Sequence, residues 1–471
     1  MRRKTKIVAT ISDRNCEPEF LKNLYNAGMD VVRLNTAHQS HDDALKVIEN
    51  VRKISDKIAI LIDTKGPEIR TCGADIPLTV AYGDKILIKG APGARSAGNV
   101  ICVSHKDFVK DVPVGSSVLI DDGSIALSVM EKEDEFLVCF VENDGVIYGR
   151  KSVNIPSVHV KLPALSEKDK GFIRFAAEND VDFIAHSFVR NREDVLAVQR
   201  ILDEHNSSIK IIAKIENSAG VENIDEILDV AYGVMIARGD LAVEIPAEKI
   251  PMVQKSLVRR CIERRAPVIV ATQMLHSMMT SPRPTRAEVS DVANACLDST
   301  DALMLSGETA SGNYPILAVQ TMARIATEVE SNRSTFIDTP YDLENKITGY
   351  LAKAAVKASM RLNTEAIVAD TISGTTIRAI AAYRGDNPIY AQAYDARVMR
   401  MLALSFGVFA DTIEREDATT IPIRNSILRL IDQGILKNDT LITVLAGHFG
   451  SDHGASYIEI STAKRMVSKG C

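Results

Sequence analysis

The 471 residues contain no apolar run long enough to span a bilayer, no Cys-x-x-Cys pair and no Gly-x-x-x-x-Gly-Lys loop. They also lack a strong excess of either charge. Each absence removes a class of function. Asp13 and Arg14 interrupt the short apolar run in "MRRKTKIVATISDRN" before it could serve as a signal peptide or membrane span, so no membrane partner is expected. Seven scattered cysteines, an odd count, fit reduced thiols and a cytoplasmic setting rather than a disulfide framework. Neither the cysteines nor the histidines show zinc-ligand spacing. With 56 basic residues against 62 acidic ones, the formal charge of −6 makes no field that recruits nucleic acid or anionic lipid. Without a Walker-type loop, any nucleotide must be held by side chains and metal.

What is present is a soluble-protein composition, 46% hydrophobic and 25% charged, on a chain too long for one core. Length alone suggests about three domains. From Lys6 onward, short apolar runs alternate with helical stretches: "KIVATIS", "DVVRLN", "IAILIDT", "DFIAHSFV", "IKIIAKIE", "YGVMIARGD", "PVIVATQ" and "DALMLSGE". Continuous Val/Ile/Ala runs suit strands buried on both faces, as in parallel sheets. Eight of them predict an α/β fold, a (β/α)8 barrel, with a doubly wound open sheet as the alternative. In "PTRAEVSDVANACLDS" Val289, Val292, Ala293, Cys296 and Leu297 fall on one helical face, with Pro284 at the start.

After the third run the helical period disappears, and short alternating strands take over. Asp122-Gly123 and Asp144-Gly145 are hairpin signals there. The expected division is a catalytic barrel over 1–66 and 164–335, with a small β lid inserted at 67–163. A C-terminal α/β domain follows at 336–471, its sheet mixed because Tyr457–Ile460 reads as a final strand.

Polar residues recur at the ends of the barrel runs: Arg33 and Asn35, Asp63, Ser187 and Arg190, Lys214 and Glu216. Further along come Arg238 and Asp240, Thr272 and Gln273, then Ser306 and Glu308. In a barrel enzyme such ends meet at one mouth. One residue of this kind is ordinarily a cap or a rim ion pair. Recurrence on strand after strand points to a site. In "VVRLNTAHQSH" the two-residue period would aim Arg33, Asn35 and Ala37 at one place. Lys214 and Glu216 lie two apart, so both face the mouth while Ile215 faces the helices. Glu216 with Asp240 offers two hard oxygen donors suited to Mg²⁺ or Mn²⁺. Lys214, Arg33 and Arg70 make the pocket cationic, which suits a phosphate or carboxylate substrate and phosphoryl transfer.

Plainer readings stand beside these. Thr272 could be a strand-end hydroxyl bonded to backbone. Ser187 and Arg190 could brace the mouth, and Lys151 and the arginines of "KSLVRRCIERR" could be solvated surface. Farther on, "DTISGTTIRAI" runs from a strand through Thr371 and Ser373-Gly374-Thr375-Thr376 into a helix. That arrangement offers amides and hydroxyls to a phosphate, and equally makes an ordinary strand–helix turn.

Along almost its whole length the chain resembles the pyruvate kinase family. The segments that carry the resemblance are "TKIVATI", "AGMDVVRLN", "DTKGPEIRT", "LPALSEKD", "SFVRN", "IIAKIEN", "VMIARGDLAVEIP", "VIVATQML" and "SPRPTRAEVSDVANACLDSTDALMLSGETASGNYP". The resemblance implies transfer of the phosphoryl group of phosphoenolpyruvate to ADP, giving ATP and pyruvate in the last step of glycolysis. It implies Glu216 and Asp240 as ligands of the divalent ion, Lys214 as the group that stabilises the phosphoryl in flight, and Thr272 as the proton relay to the enolate. The backbone of Ala237, Arg238, Gly239 and Asp240 would receive the substrate carboxylate. Arg33 and Arg70 would hold phosphates, with Asn35, His38 and Lys151 on the nucleotide side. Asn35, Asp63 and Thr64 would bind K⁺. Thr371, Ser373, Gly374, Thr375 and Thr376 would hold a sugar-phosphate or nucleotide effector, and the assembly would be a homotetramer.

Three departures stand out. The usual Thr-Ile-Gly-Pro-Ala-Ser is here Thr10-Ile11-Ser12-Asp13-Arg14-Asn15, at the nucleotide side. The usual Asn-Phe-Ser-His-Gly is Asn35-Thr36-Ala37-His38-Gln39, which removes a hydroxyl from the K⁺ site, whereas Glu68 is the residue associated with potassium dependence. "AGHFGSDHGAS" departs from the family's Gly-x-Pro-x-Gly. Two other readings remain: a Mg²⁺-dependent aldolase or lyase of pyruvate chemistry, and a degraded effector-binding scaffold.

Overall fold

The computed structural model describes residues 2–156, 158, 160–333, 336–339, 346–414, 420–447 and 454–468. Eight short parallel strands close on themselves: Lys6–Thr10, Val31–Asn35, Ala59–Asp63, Phe183–His186, Lys210–Ile215, Gly233–Ala237, Val268–Ala271 and Ala302–Leu305. The last pairs back onto the first. Closure disposes of the open-sheet alternative. It also explains why the runs are apolar without interruption, since each strand buries both faces. Val8, Leu61, Phe183, Ile212, Met235 and Met304 fill the barrel, while their neighbours Ile7, Ile60, Ile62, Ile184 and Ile215 lie under the helices.

The helix Arg286–Leu297 shows how local chemistry sets an element's bounds. Thr285 accepts from the Glu288 amide and the Glu288 carboxylate answers, a capping box. Pro284 therefore precedes the cap and does not open the helix. The buried stripe is Val292, Ala295 and Cys296, whereas Val289 and Leu297 are exposed. The helix turns that stripe toward the neighbouring helix Pro315–Ser331, so the face is narrower than the apolar spacing suggests.

The lid carries its own core of Ile86, Ile88, Phe108, Leu127, Val129 and Leu137. Its six-stranded sheet runs Val153–Asn154, Ser117–Ile120, Ile125–Lys132, Leu137–Val141, Lys85–Gly90, Val100–Val103, beside a pair formed by Gly145–Ile147 and Leu78–Val80. The Asp122-Gly123 turn joins two antiparallel strands, with Asp121, Asp122 and Gly123 all at positive φ. Asp144-Gly145 makes no hairpin, because Gly145 opens a strand that pairs with Leu78–Val80 and not with its predecessor. One helical turn, Phe108–Asp111, interrupts the otherwise all-β lid.

The C-terminal sheet runs Val408–Thr412, Ile389–Ala393, Ala366–Thr371, Leu441–Ala446, Tyr457–Thr462. Only the last strand is antiparallel, as a mixed sheet requires. The helix Lys346–Arg361 lies against it. In "AGHFGSDHGAS", residues 448–453 lie outside the described residues. No helix among the described residues is long and apolar enough to cross a membrane. Six cysteines are buried and unpaired there.

Candidate active site

The mouth of the barrel is organised around Asp63, the last residue of the third strand and 1% exposed. Parallel register sets Asn35 beside Asp63 and Arg33 beside Thr10. Arg33 Nε donates to Asp63 Oδ2 at 2.7 Å, and its Nη1 to Thr10 Oγ1 at 3.0 Å. Lys214 Nζ donates to Asp63 Oδ1 at 3.0 Å and to Ser187 Oγ at 2.7 Å, and lies 2.9 Å from Glu216 Oε1. Ser187 Oγ donates in turn to the Thr64 carbonyl at 2.6 Å. Two buried cations thus share one aspartate.

The charges follow from this arrangement. Burial pushes the Asp63 carboxyl up, but Arg33 and Lys214 outweigh it and hold the carboxyl below the usual range. Burial works to lower the Lys214 pKa, yet Asp63 and Glu216 raise it well above the ordinary lysine value, so the ammonium stays protonated. Burial pushes the Glu216 carboxyl up to about 7, against Lys214 and reinforced by Asp240. Asp240 is also raised, first by burial, with Lys214 opposing and Asp122 of the lid turn adding to the shift. Two neighbouring carboxylates that disfavour each other's charge are a donor set a dication relieves. Among the described residues no group of three His, Cys, Asp or Glu side chains could hold a metal. A dication at Glu216 and Asp240 would therefore keep positions for water and substrate oxygens, the habit of Mg²⁺.

Across the mouth, the Thr272 hydroxyl accepts from the Gly239 amide at 2.8 Å and donates to the Ala271 carbonyl at 2.7 Å. The plain backbone-bonding role is thus real, and it ties Thr272 to the Ala237–Asp240 segment. The Arg238 side chain turns away from the mouth: both Nη atoms reach Asp291, at 2.6 and 2.7 Å, and Nη2 donates to the Thr272 carbonyl at 2.9 Å. Of Arg238, only the backbone is left facing the mouth. Thr272, Gln273 and Phe188 have φ of 68°, 53° and 56°. Left-handed backbone at bulky residues is strained and clusters where function over-determines it.

The strand Val31–Asn35 ends before Ala37, so the two-residue period does not carry Ala37 onto the face of Arg33. The chain turns there: Asn35 Oδ1 accepts from the Ala37 amide at 3.1 Å, and Thr36 Oγ1 donates to the Asp63 carbonyl at 2.9 Å. His38 is exposed at the rim. Arg70 and Lys151 sit on the lid. Arg70 Nε pairs with Glu68 at 2.8 Å, and Lys151 Nζ with Asp121 at 3.0 Å. Arg190 braces, as its plainer reading held: it pairs with Asp194 at 2.9 Å and reaches the Leu162 carbonyl at 3.1 Å. Thr371 ends a strand of the C-terminal sheet, Ser373 and Gly374 form the turn after it, and Thr375 and Thr376 open the next helix, so none of them is at the mouth. There the Gly374 amide donates to Thr371 Oγ1 at 2.8 Å, and Gly374 caps the helix Thr375–Ala382 at φ 83°.

Sequence reasoning passed over Thr10, His186 and Asp122 as mouth residues. His186 is buried and its Nδ1 lies 3.3 Å from Thr64 Oγ1. Thr10 stands at the end of the first strand, where recurrence of polar residues could have found it. His186 sits inside an apolar run and Asp122 inside a turn signal, so neither had a distinguishing pattern.

Family models described as "Pyruvate kinase, barrel domain" and "Pyruvate kinase, alpha/beta domain" match residues 2–319 and 350–461. A pyruvate kinase of Borreliella burgdorferi is 47% identical over 98% of this chain and 98% of its own length. One from Geobacillus stearothermophilus is 40% identical, covering 100% of this chain and 82% of its own. A crystal structure of a pyruvate kinase from Cryptosporidium parvum superposes with a TM-score of 0.92 at 35% identity, covering 98% of this chain and 96% of that one.

Proposed function

The chain belongs to the pyruvate kinase family, and from that premise we propose a role for each residue at the barrel mouth. The protein is a phosphotransferase that moves the phosphoryl group of phosphoenolpyruvate to ADP, giving ATP and pyruvate in the last step of glycolysis. Mg²⁺ and K⁺ serve the reaction, and homotetramers are the family's assembly.

The observation that carries the residue roles is the Lys214 ammonium, buried and held at once by Asp63, Glu216 and Ser187. A charge fixed before the reaction needs no reorganisation when the phosphoryl group separates from both oxygens, so Lys214 stabilises that group in flight. Arg33, pinned by Asp63 and Thr10, orients the phosphate. Glu216 and Asp240 would hold the Mg²⁺ or Mn²⁺ that neutralises phosphoryl charge when bound. Asn35, Asp63 and Thr64 would hold K⁺. The Gly239 amide exchanges its Thr272 partner for the substrate carboxylate, which frees the Thr272 hydroxyl to pass a proton through water to the enolate. Arg70 and Lys151 come in with the lid, Asn35 and His38 line the nucleotide side, and closure excludes water as the competing acceptor. The loop Thr371–Thr376 takes a phosphate-bearing effector. We assign 1–66 and 164–335 to catalysis, 67–163 to the lid and 336–471 to regulation, and place the protein in the cytoplasm.

The test is pyruvate formation from phosphoenolpyruvate and ADP with Mg²⁺, repeated with K⁺ replaced by a large inert cation. ADP-independent turnover of a pyruvate-derived substrate would instead favour the aldolase or lyase reading.

A further inference from the structure

The fourth barrel strand, Phe183–His186, ends in a polar group that has no role in the account above. Side chains alternate along a strand: Phe183 and Ala185 fill the barrel, Ile184 lies under the helices, and His186 follows Ile184 outward. The next residue, Ser187, turns back to the mouth and meets Lys214. The His186 ring is buried. Burial drives its pKa down to about 4, against Asp194 and Asp169, so the ring is neutral and carries one acceptor and one donor.

The acceptor has a partner and the donor has none. The Thr64 hydroxyl already accepts from the Ser187 amide at 3.1 Å, which leaves its own proton for His186 Nδ1, 3.3 Å away. The ring proton then sits on Nε2, which is buried without a partner. Burying an unmade donor is costly, and a leucine in this apolar run would fill the space without stranding one. Packing therefore does not account for a histidine here. The acceptor at Nδ1 does.

Thr64 carries that bond to the mouth. It is tied to Ser187 twice, because its hydroxyl accepts the Ser187 amide and its carbonyl accepts the Ser187 hydroxyl at 2.6 Å. With its proton committed to Thr64, Ser187 Oγ turns its lone pairs to Lys214 Nζ at 2.7 Å. The packing leaves no slack: Gly66 passes so close that a Cβ there would lie 2.7 Å from the Ser187 Cβ.

We infer that His186 is a positioning residue for phosphoryl transfer. By accepting the Thr64 hydroxyl it fixes the Thr64–Ser187 pair, and through Ser187 it sets the direction of the Lys214 ammonium. The inference rests on the role given to Lys214 above. A misaimed ammonium weakens stabilisation of the transition state more than binding of the ground state, so the effect falls on kcat and spares KM.

Steady-state kinetics of the full chain with phosphoenolpyruvate, ADP, Mg²⁺ and K⁺, beside thermal midpoints, test this. In His186→Leu kcat should fall about tenfold, with KM for phosphoenolpyruvate within about twofold of wild type and the midpoint not lowered. His186→Asn, whose amide oxygen can take the place of Nδ1, should recover kcat to within about threefold of wild type. In a Thr64→Val background the hydroxyl is already gone, so His186→Leu should cause no further fall. An unchanged kcat in His186→Leu overturns the inference, as does a fall that asparagine does not recover or that repeats in full in the Thr64→Val background. A fall in kcat that comes only with a lowered midpoint and a raised KM marks a merely structural role and overturns it too. A wild type that moves no phosphoryl group to ADP would instead sink the reading of the mouth itself.

Discussion

Two buried lysines on barrel strands end at opposite poles of the molecule, and their surroundings shift them in opposite directions. Lys6, at the base, meets a backbone carbonyl of Val408 and the face of the Phe409 ring, 4.5 Å away, with Asp30 no nearer than 4.0 Å. Burial there lowers its pKa to about 8. Lys214, at the mouth, is just as enclosed, but Asp63 and Glu216 raise it instead. Desolvation is common to both; close carboxylates decide the sign. The base as a whole uses ions differently. Arg384 reaches Asp301 and Arg400 reaches Asp182, each at 2.7 Å, with cation and acid drawn from different domains, so these pairs fasten the C-terminal domain to the barrel. At the mouth, Asp63 serves Arg33 and Lys214 together, a poor way to add stability but a good way to hold charge ready.

The sharpest way to break this contrast is Lys214→Met. We expect kcat to fall by ~10³ or more, with phosphoenolpyruvate binding measured by fluorescence or calorimetry largely retained. Near-normal turnover would return Lys214 to the structural class of Lys6. Next in size is Thr272→Val, for which kcat should fall by ~10². Incorporation of solvent hydrogen into the pyruvate methyl group should fall in parallel, and an unchanged exchange rate would leave Thr272 only its backbone bonds.

At the base, Lys6→Met should leave kcat alone and alter the dependence of stability on pH. The folded pKa of about 8 lies below the unfolded 10.5, so between them the unfolded chain binds more protons and stability rises with pH. Wild type should gain up to roughly 3 kcal/mol on the variant from pH 8 to 10.5. A constant difference in denaturation midpoints across that window would contradict the assignment. The smallest effect concerns the K⁺ site. The Thr36 hydroxyl donates to the Asp63 carbonyl, and Ala37 brings no hydroxyl of its own. Ala37→Ser adds an oxygen and should lower the K⁺ concentration for half-maximal activity about threefold. An unaltered K⁺ curve would put the ion elsewhere.

Much of this was legible in the chain because barrel strands bury both faces, so apolar runs such as Ala59–Asp63 end abruptly in the groups that carry chemistry. The pairing of Lys214 with Glu216 followed from the two-residue period of a strand. Other features were illegible for equally physical reasons. Ala37 left the face of Arg33 because the strand stops at Asn35, a decision made by the turn around the Asn35 side chain. The exposed Val289 and Leu297 have the spacing of a buried face, but the neighbouring helix covers only the stripe between them. Asp144-Gly145 has hairpin composition, yet the competing partner Leu78–Val80 captures the strand that follows it.

Fold class, family resemblance and many of the polar groups at the strand ends could be read from the chain alone, because periodicity and motif order are properties of the chain. Tertiary structure decided which charges share a partner. Asp63 is 151 residues from Lys214 and Arg384 is 83 from Asp301, and Coulomb interaction depends on the distance across the fold and the water excluded between, neither of which is written along the chain. It also decided that Arg238 braces Asp291 while its backbone faces the mouth.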